Sequence, residues 1–177
     1  IDPGADQEIL ETHLVNNKII PLCIICTHGH FDHIGGVKYL QNKYNIPAYL
    51  HQSDFKIAKA ANIHSGLFGF SPIELPTFKH IPSLIELDSH QLTIIHTPGH
   101  TPGGICLYLK EDNYLLSGDT IFFNSIGRTD LPNGNFSHIV KAIKEKILTL
   151  PQNTQIFPGH GDKTSVGEEL KNNPYIK

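Results

Sequence analysis

Thr27-His-Gly-His-Phe-Asp-His33 places four side chains able to ligate a metal, His28, His30, Asp32 and His33, within six consecutive positions. Gly29 separates the first two histidines, where the backbone must turn without a Cβ clash. His28 and His30, two apart, can point the same way. Asp32 and His33 follow at the start of a helix, so their side chains leave in a different direction and can serve a second ion. Upstream, residues 22–27 form a short apolar, β-branched-rich run that reads as a strand, and downstream Ile34, Val37, Leu40 and Tyr44 recur at helical spacing. The stretch therefore lies between a strand and a helix.

Two ions need more donors than one loop supplies. Three further segments offer them: Thr97-Pro-Gly-His100, Ser117-Gly-Asp119 and Pro158-Gly-His160, each following an apolar run. The glycine before each ligand frees the backbone to present its neighbour at a sheet edge.

The rest of the chain reads as strands in runs punctuated by helices. Asp6 offers a cap to a helix with Ile9, Leu10 and Leu14 on one face. Residues 46–51 read as a strand, and Ser53 can cap a short helix to about Asn62; residues 62–82, rich in glycine and proline, read as irregular. Residues 84–87 and 92–97 predict a hairpin across Asp88-Ser-His-Gln91, and residues 105–109 and 114–116 a second one. Asn135 or Ser137 opens an amphipathic helix with Val140, Ile143, Ile147 and Leu150 inward, followed by a strand at 155–157. This pattern fits two packed sheets with helices outside them.

HxHxDH, a downstream histidine, the aspartate of SGD and the histidine of PGH together resemble the metallo-β-lactamase superfamily. The resemblance covers essentially the whole chain. It implies an α/β fold, the αββα sandwich, in one domain over residues 1–177. It also implies His28, His30 and His100 on a first metal, Asp32, His33 and His160 on a second, and Asp119 bridging. Ile1-Asp-Pro-Gly4, Thr97-Pro-Gly-His-Thr-Pro-Gly103, Gly127-Arg-Thr-Asp130, Pro158-Gly-His-Gly161 and Asn173-Pro174 resemble the glyoxalase II-like branch, in a short form without the C-terminal helical domain of typical hydroxyacylglutathione hydrolases. The resemblance places the opening strands of that fold before Ile1, so the fold is expected here with its first hairpin absent or unseen.

The resemblance further implies two divalent metal ions. Zinc is the expectation, and iron or manganese would suit the same histidine and carboxylate donors. Two such ions can hold a bridging hydroxide near neutral pH and aim it at a carbonyl. Asp119 would anchor the pair, and Asp32 would also orient the hydroxide. A thioester suits such a site because its leaving thiolate is a weak base and needs no strong acid. The substrate implied by the glyoxalase II resemblance is S-D-lactoylglutathione or a related hydroxyacylglutathione, giving D-lactate and glutathione. Rival readings are a mononuclear iron persulfide dioxygenase using His28, His100 and Asp119, and a non-catalytic metal-binding module. A β-lactamase fits less well, because Asp119 stands where several such enzymes carry cysteine.

Composition bounds these readings. The chain has 177 residues, 39% of them hydrophobic, enough to bury a core without staples. Its net charge of −3, from 17 acids and 14 bases spread along the chain, argues against a nucleic-acid partner and against a basic membrane-binding helix. No apolar run approaches the roughly 20 residues that span a bilayer, and three cysteines fit a reducing, cytoplasmic setting. Cys23 and Cys26, three apart on a strand, face opposite ways and, with Cys106, read as small core residues. Of the twelve histidines, His13, His51, His64, His80, His90, His96 and His138 read as surface or structural. Arg128 reads as tying down its own loop through Asp130, and Lys163 and Tyr175 as surface. Composition and spacing leave the oligomeric state open.

Overall fold

A computed structural model describes residues 1–87 and 90–176. The chain forms two compact units, Ile1–Ile81 and Pro82–Lys177. The first holds a three-stranded sheet in the order β1-β2-β3, made of β1 (Ile24–Ile25), β2 (Ala48–Leu50) and β3 (Lys79–His80), all parallel. Around it run α1 (Gln7–Asn16), α2 (Phe31–Ile34), α3 (Val37–Tyr44), α4 (Phe55–Lys59) and α5 (Ala61–Leu67). Ile24, Cys26, Ile34, Val37, Leu40, Ala48, Leu50, Ala58 and Ala61 form its core.

The second unit holds a six-stranded sheet in the order β11-β10-β7-β6-β5-β4. Its strands are β4 (Leu84–Leu87), β5 (His90–His96), β6 (Ile105–Leu109), β7 (Tyr114–Gly118), β10 (Gln155–Pro158) and β11 (Thr164–Ser165), and β8 (Ile121–Phe122) pairs with β9 (Ser125–Ile126) as a separate hairpin. Helix α6 (Phe136–Ala142) runs into a π turn at Ile143–Ile147, and α7 is Val166–Asn172. The core gathers Cys106, Tyr108, Leu115, Ile121, Ile139, Ile143, Ile147, Ile156 and Val166.

The two expected hairpins are present, with Leu84 opposite Thr93 and Leu107 opposite Leu116. Asp88 and Ser89 of the first turn lie outside the described residues. The expected helix after Asp6 also forms, but its apolar side does not pack inward: no residue of α1 is buried and Ile9 is 69% exposed. The helix is held instead by Glu11, which accepts from the Tyr39 hydroxyl and pairs with Lys43 Nζ at 2.8 Å. Asp6 makes no side-chain cap. His51, not Ser53, caps the next helical stretch, its Nδ1 accepting from Ser53 N at 3.3 Å, and the helices continue to Leu67 through ground expected to be irregular.

The helix after the metal loop breaks into α2 and α3 at Gly35-Gly36, where Gly36 N donates to the Pro3 carbonyl at 2.7 Å. Asn135 caps α6 as expected, accepting from His138 N. The four residues expected inward all meet the core, Ile143 and Ile147 fully buried and Val140 and Leu150 half-buried against it, and Ile139 and Ala142 are buried beside them. Cys26 and Cys106 are fully buried and Cys23 half-buried, all as free thiols. Burial pushes the Cys106 thiol up to about 11, so it stays protonated and inert. Among the described residues no helix is long and apolar enough to cross a membrane.

Candidate metal centre

In the first unit the ligand loop leaves β1 and enters α2. Ring centroids of His28 and His30 lie 4.8 Å apart, and those of His28 and His33 lie 4.0 Å apart. His33 Nε2 approaches Asp32 Oδ2 to 3.8 Å. His28 and His33 are buried, whereas Asp32 is 41% exposed and faces solvent. All four candidate ligands are thus neighbours on one loop.

Asp2 organises this loop. Its Oδ1 accepts from Thr27 N at 2.7 Å, and its Oδ2 accepts from Thr27 Oγ1 at 2.7 Å and lies 3.1 Å from His33 Nδ1. A carboxylate only accepts, so the His33 proton sits on Nδ1 and the lone pair on Nε2. Thr27 Oγ1, having donated to Asp2, accepts from His28 Nδ1 at 3.2 Å, which selects the same tautomer there. On the other side Gly29 N donates to Oδ2 of the fully buried Asp54 at 3.0 Å, pinning the turn between the two histidines. Sequence reasoning gave neither carboxylate a role: Asp2 enters it only within the Ile1-Asp-Pro-Gly4 motif, and Asp54 as an interior residue of a capped helix.

In the second unit Asp119 lies between two histidines. Its Oδ2 is 3.6 Å from His100 Nε2 and 3.8 Å from His160 Nε2. Sheet topology produces this: β7 and β10 run parallel with Pro158 opposite Gly118, so Asp119 and His160 leave adjacent strands at the same end. His100 arrives on the turn after β5, where Asn135 N donates to the Gly99 carbonyl at 2.7 Å. His100 Nδ1 donates to the Arg128 carbonyl at 2.8 Å, again leaving the Nε2 lone pair for a metal ion. Gly99 (φ 144) and Gly118 (φ 48) have the positive φ expected of them, but near His160 the left-handed residue is Gly161 (φ 78).

Arg128 grips Asp130 with two 2.8 Å bonds, from Nε and Nη2, as the structural reading expects. That contact holds the Asp130 carboxyl down at about 2. A carboxyl lowered on folding contributes above its ordinary value of 3.8 and loses that contribution as pH falls through about 2. Arg128→Ala is therefore expected to loosen the 127–130 loop while leaving the carbonyl that holds His100 in place. Metal content by elemental analysis should stay unchanged, and backbone exchange at 127–130 should rise.

Imidazole and carboxylate are the donor set of divalent transition-metal sites. Here three imidazoles have Nδ1 engaged by an oxygen, the arrangement that orients Nε2 toward an ion. Each unit by itself offers donors of this kind, His28, His30, Asp32 and His33 in the first and His100, Asp119 and His160 in the second.

The family model described as "Metallo-beta-lactamase superfamily" matches residues 2–160. A probable metallo-hydrolase of Bacillus subtilis, YqgX, is 38% identical over 99% of this chain and 85% of its own length. The hydroxyacylglutathione hydrolase GloC of Haemophilus influenzae is 31% identical over the same shares. Among solved structures, the BLEG-1 B3 metallo-beta-lactamase is 38% identical with a TM-score of 0.90, over 99% of this chain and 86% of that one. TTHA1623 in a di-iron-bound form is 34% identical with a TM-score of 0.92, over 98% and 87%.

Proposed function

Because the chain belongs to the metallo-β-lactamase superfamily, with its fold and its metal-dependent hydrolase chemistry, we propose that it hydrolyses thioesters, S-D-lactoylglutathione or a related hydroxyacylglutathione. The observation that carries the substrate class is the match to a hydroxyacylglutathione hydrolase along nearly the whole chain. In this reading His28, His30 and His100 hold one divalent ion, Asp32, His33 and His160 hold another, and Asp119 serves both. The family-model match, which includes every one of these residues, supports that assignment. Zinc and iron both suit the donors, and a solved relative carries two irons.

When bound, such ions lower the pKa of a shared water and polarise the substrate carbonyl. The chain's own residues then divide the remaining work. Asp32, on the open side of its loop, accepts a hydrogen bond from the attacking water and orients it. Asp2, through His33 directly and through Thr27 to His28, keeps the imidazole tautomers that ligate through Nε2. The Arg128 carbonyl does the same for His100. The glutathione thiolate leaves without help from an acid, because a thiol is already a fairly strong acid, with a pKa of about 8.5.

Asp2→Ala is expected to weaken metal binding by roughly 10–100-fold, the usual cost of losing a residue that orients a ligand. Competition with a chelating dye measures it, and unchanged affinity would show that Asp2 does not set the tautomers.

A second reading, β-lactam hydrolysis, is favoured by the 38% identical structure titled a B3 metallo-beta-lactamase. The two differ in the leaving group, since an amide nitrogen must be protonated and a thiolate need not be. Metal-loaded protein supplied separately with S-D-lactoylglutathione, a chromogenic β-lactam and glutathione persulfide distinguishes the outcomes. Thiol release is the expected result. Ring opening alone, or oxygen uptake with the persulfide alone, would replace the thioesterase reading.

A further inference from the structure

Residues 63–70, Ile-His-Ser-Gly-Leu-Phe-Gly-Phe, close α5 and leave Ile63, Leu67, Phe68 and Phe70 more than half exposed. Four large apolar side chains in eight residues form a cluster of the kind that marks a contact surface rather than the scattered exposure normal for a protein. The backbone holds them in a defined turn. Phe70 N donates to the Ser65 carbonyl at 2.9 Å, and Gly69 N to the Gly66 carbonyl at 3.2 Å. With Gly69 at φ 78, this is the paired-bond helix ending that needs a left-handed residue. Beyond it, Asn62 fixes the returning chain, its Oδ1 accepting from Ile73 N at 2.8 Å and its Nδ2 donating to the Ile73 carbonyl at 3.1 Å.

The turn aims both rings at the ligand loop. Phe31 stands between His30 and Asp32, and its ring lies 5.2 Å from that of Phe70 and 6.1 Å from that of Phe68, the latter stacked at 29°. His64, one helical turn before Phe68, meets His30 edge-on at 6.3 Å. An apolar wall thus continues from the loop carrying four candidate ligands. Half of each outer ring is available to a further apolar group: Phe68 is 51% and Phe70 60% exposed.

We propose that Phe68 and Phe70, backed by Phe31, receive the acyl group of the substrate and extend the acceptable thioesters from lactoyl to longer, apolar acyl chains. This rests on the thioesterase reading above and specifies its substrate class. Apolar rings offer nothing to the charged carboxylates of glutathione, so the wall is assigned to the acyl side and selects among acyl groups on a constant thiol.

The test compares hydrolysis of S-hexanoylglutathione and S-D-lactoylglutathione by the native protein and by the Phe68→Ala/Phe70→Ala variant. The ratio of kcat/KM, hexanoyl over lactoyl, is expected to fall roughly tenfold or more, mainly through KM for the hexanoyl substrate. Phe68→Leu/Phe70→Leu should restore most of it. An unchanged ratio overturns the proposal while leaving thioester hydrolysis intact. If the native protein hydrolyses neither compound, the thioesterase reading has failed, and the wall is judged by equilibrium binding of S-hexylglutathione, a thioether that is not a thioesterase substrate, against S-methylglutathione. A roughly tenfold hexyl preference that disappears in the alanine variant supports the wall, and equal affinities overturn it.

Discussion

Asp119→Asn is expected to reduce thioester turnover by roughly 10³-fold or more and to lower the metal content of the purified protein. The substitution keeps the shape of the side chain, so a stability defect does not account for the loss. What changes is the donor: a carboxylate oxygen that lies within 3.6 Å of His100 Nε2 and 3.8 Å of His160 Nε2 becomes a neutral amide. A divalent ion between imidazoles then loses its anionic partner, and a carboxylate able to serve two ions is reduced to one weak acceptor. Elemental analysis and turnover on the same preparation read both effects. Full metal content with full activity would remove Asp119 from the centre.

Gly127→Ala is expected to produce the largest stability loss. An added Cβ would lie 1.8 Å from the Asp119 carbonyl oxygen, a backbone atom that cannot swing away, and 3.1 Å from His100 Cβ, closer than ordinary contact by a few tenths of an ångström. The 127–130 loop must then move, and with it the Arg128 carbonyl that fixes His100. Overpacking against backbone costs about 3 kcal/mol or more, which for a chain of this size corresponds to a fall in Tm of roughly 6–12 °C. Gly66→Ala provides the contrast: a Cβ there meets nothing within 4 Å, and the residue lies inside α5. That variant should be neutral or gain about 0.5–1 kcal/mol by restricting the unfolded chain. Equal melting temperatures for the two variants would contradict the close packing read at Gly127.

The legible parts of the sequence are those where periodicity and turn chemistry agree. The β4–β5 and β6–β7 hairpins are apolar runs flanking polar turns, and β10 is a short apolar run. The candidate ligands are legible because each stands after a strand in a short glycine-bearing motif. What was not legible has long-range causes. The parallel pairing of β10 with β7, which draws Asp119 and His160 together, joins segments about forty residues apart and leaves no local mark. Asp2 reaches Thr27 and His33 across 25 and 31 positions, so its role appears only in three dimensions. Helix α5 contains glycine and an exposed apolar side, and neither propensity nor amphipathic period identifies it.

One measurement bears most directly on the central claim: metal ions per chain and the rate of thiol release from S-D-lactoylglutathione, followed on one sample as metal is removed by a chelator and then restored. About two ions per chain are expected, with thiol release falling as they leave and returning as they are replaced. Thiol release that persists in fully stripped protein would contradict metal-dependent thioester hydrolysis. Full activity with a single ion would contradict the paired site built from His28, His30, Asp32, His33, His100, Asp119 and His160.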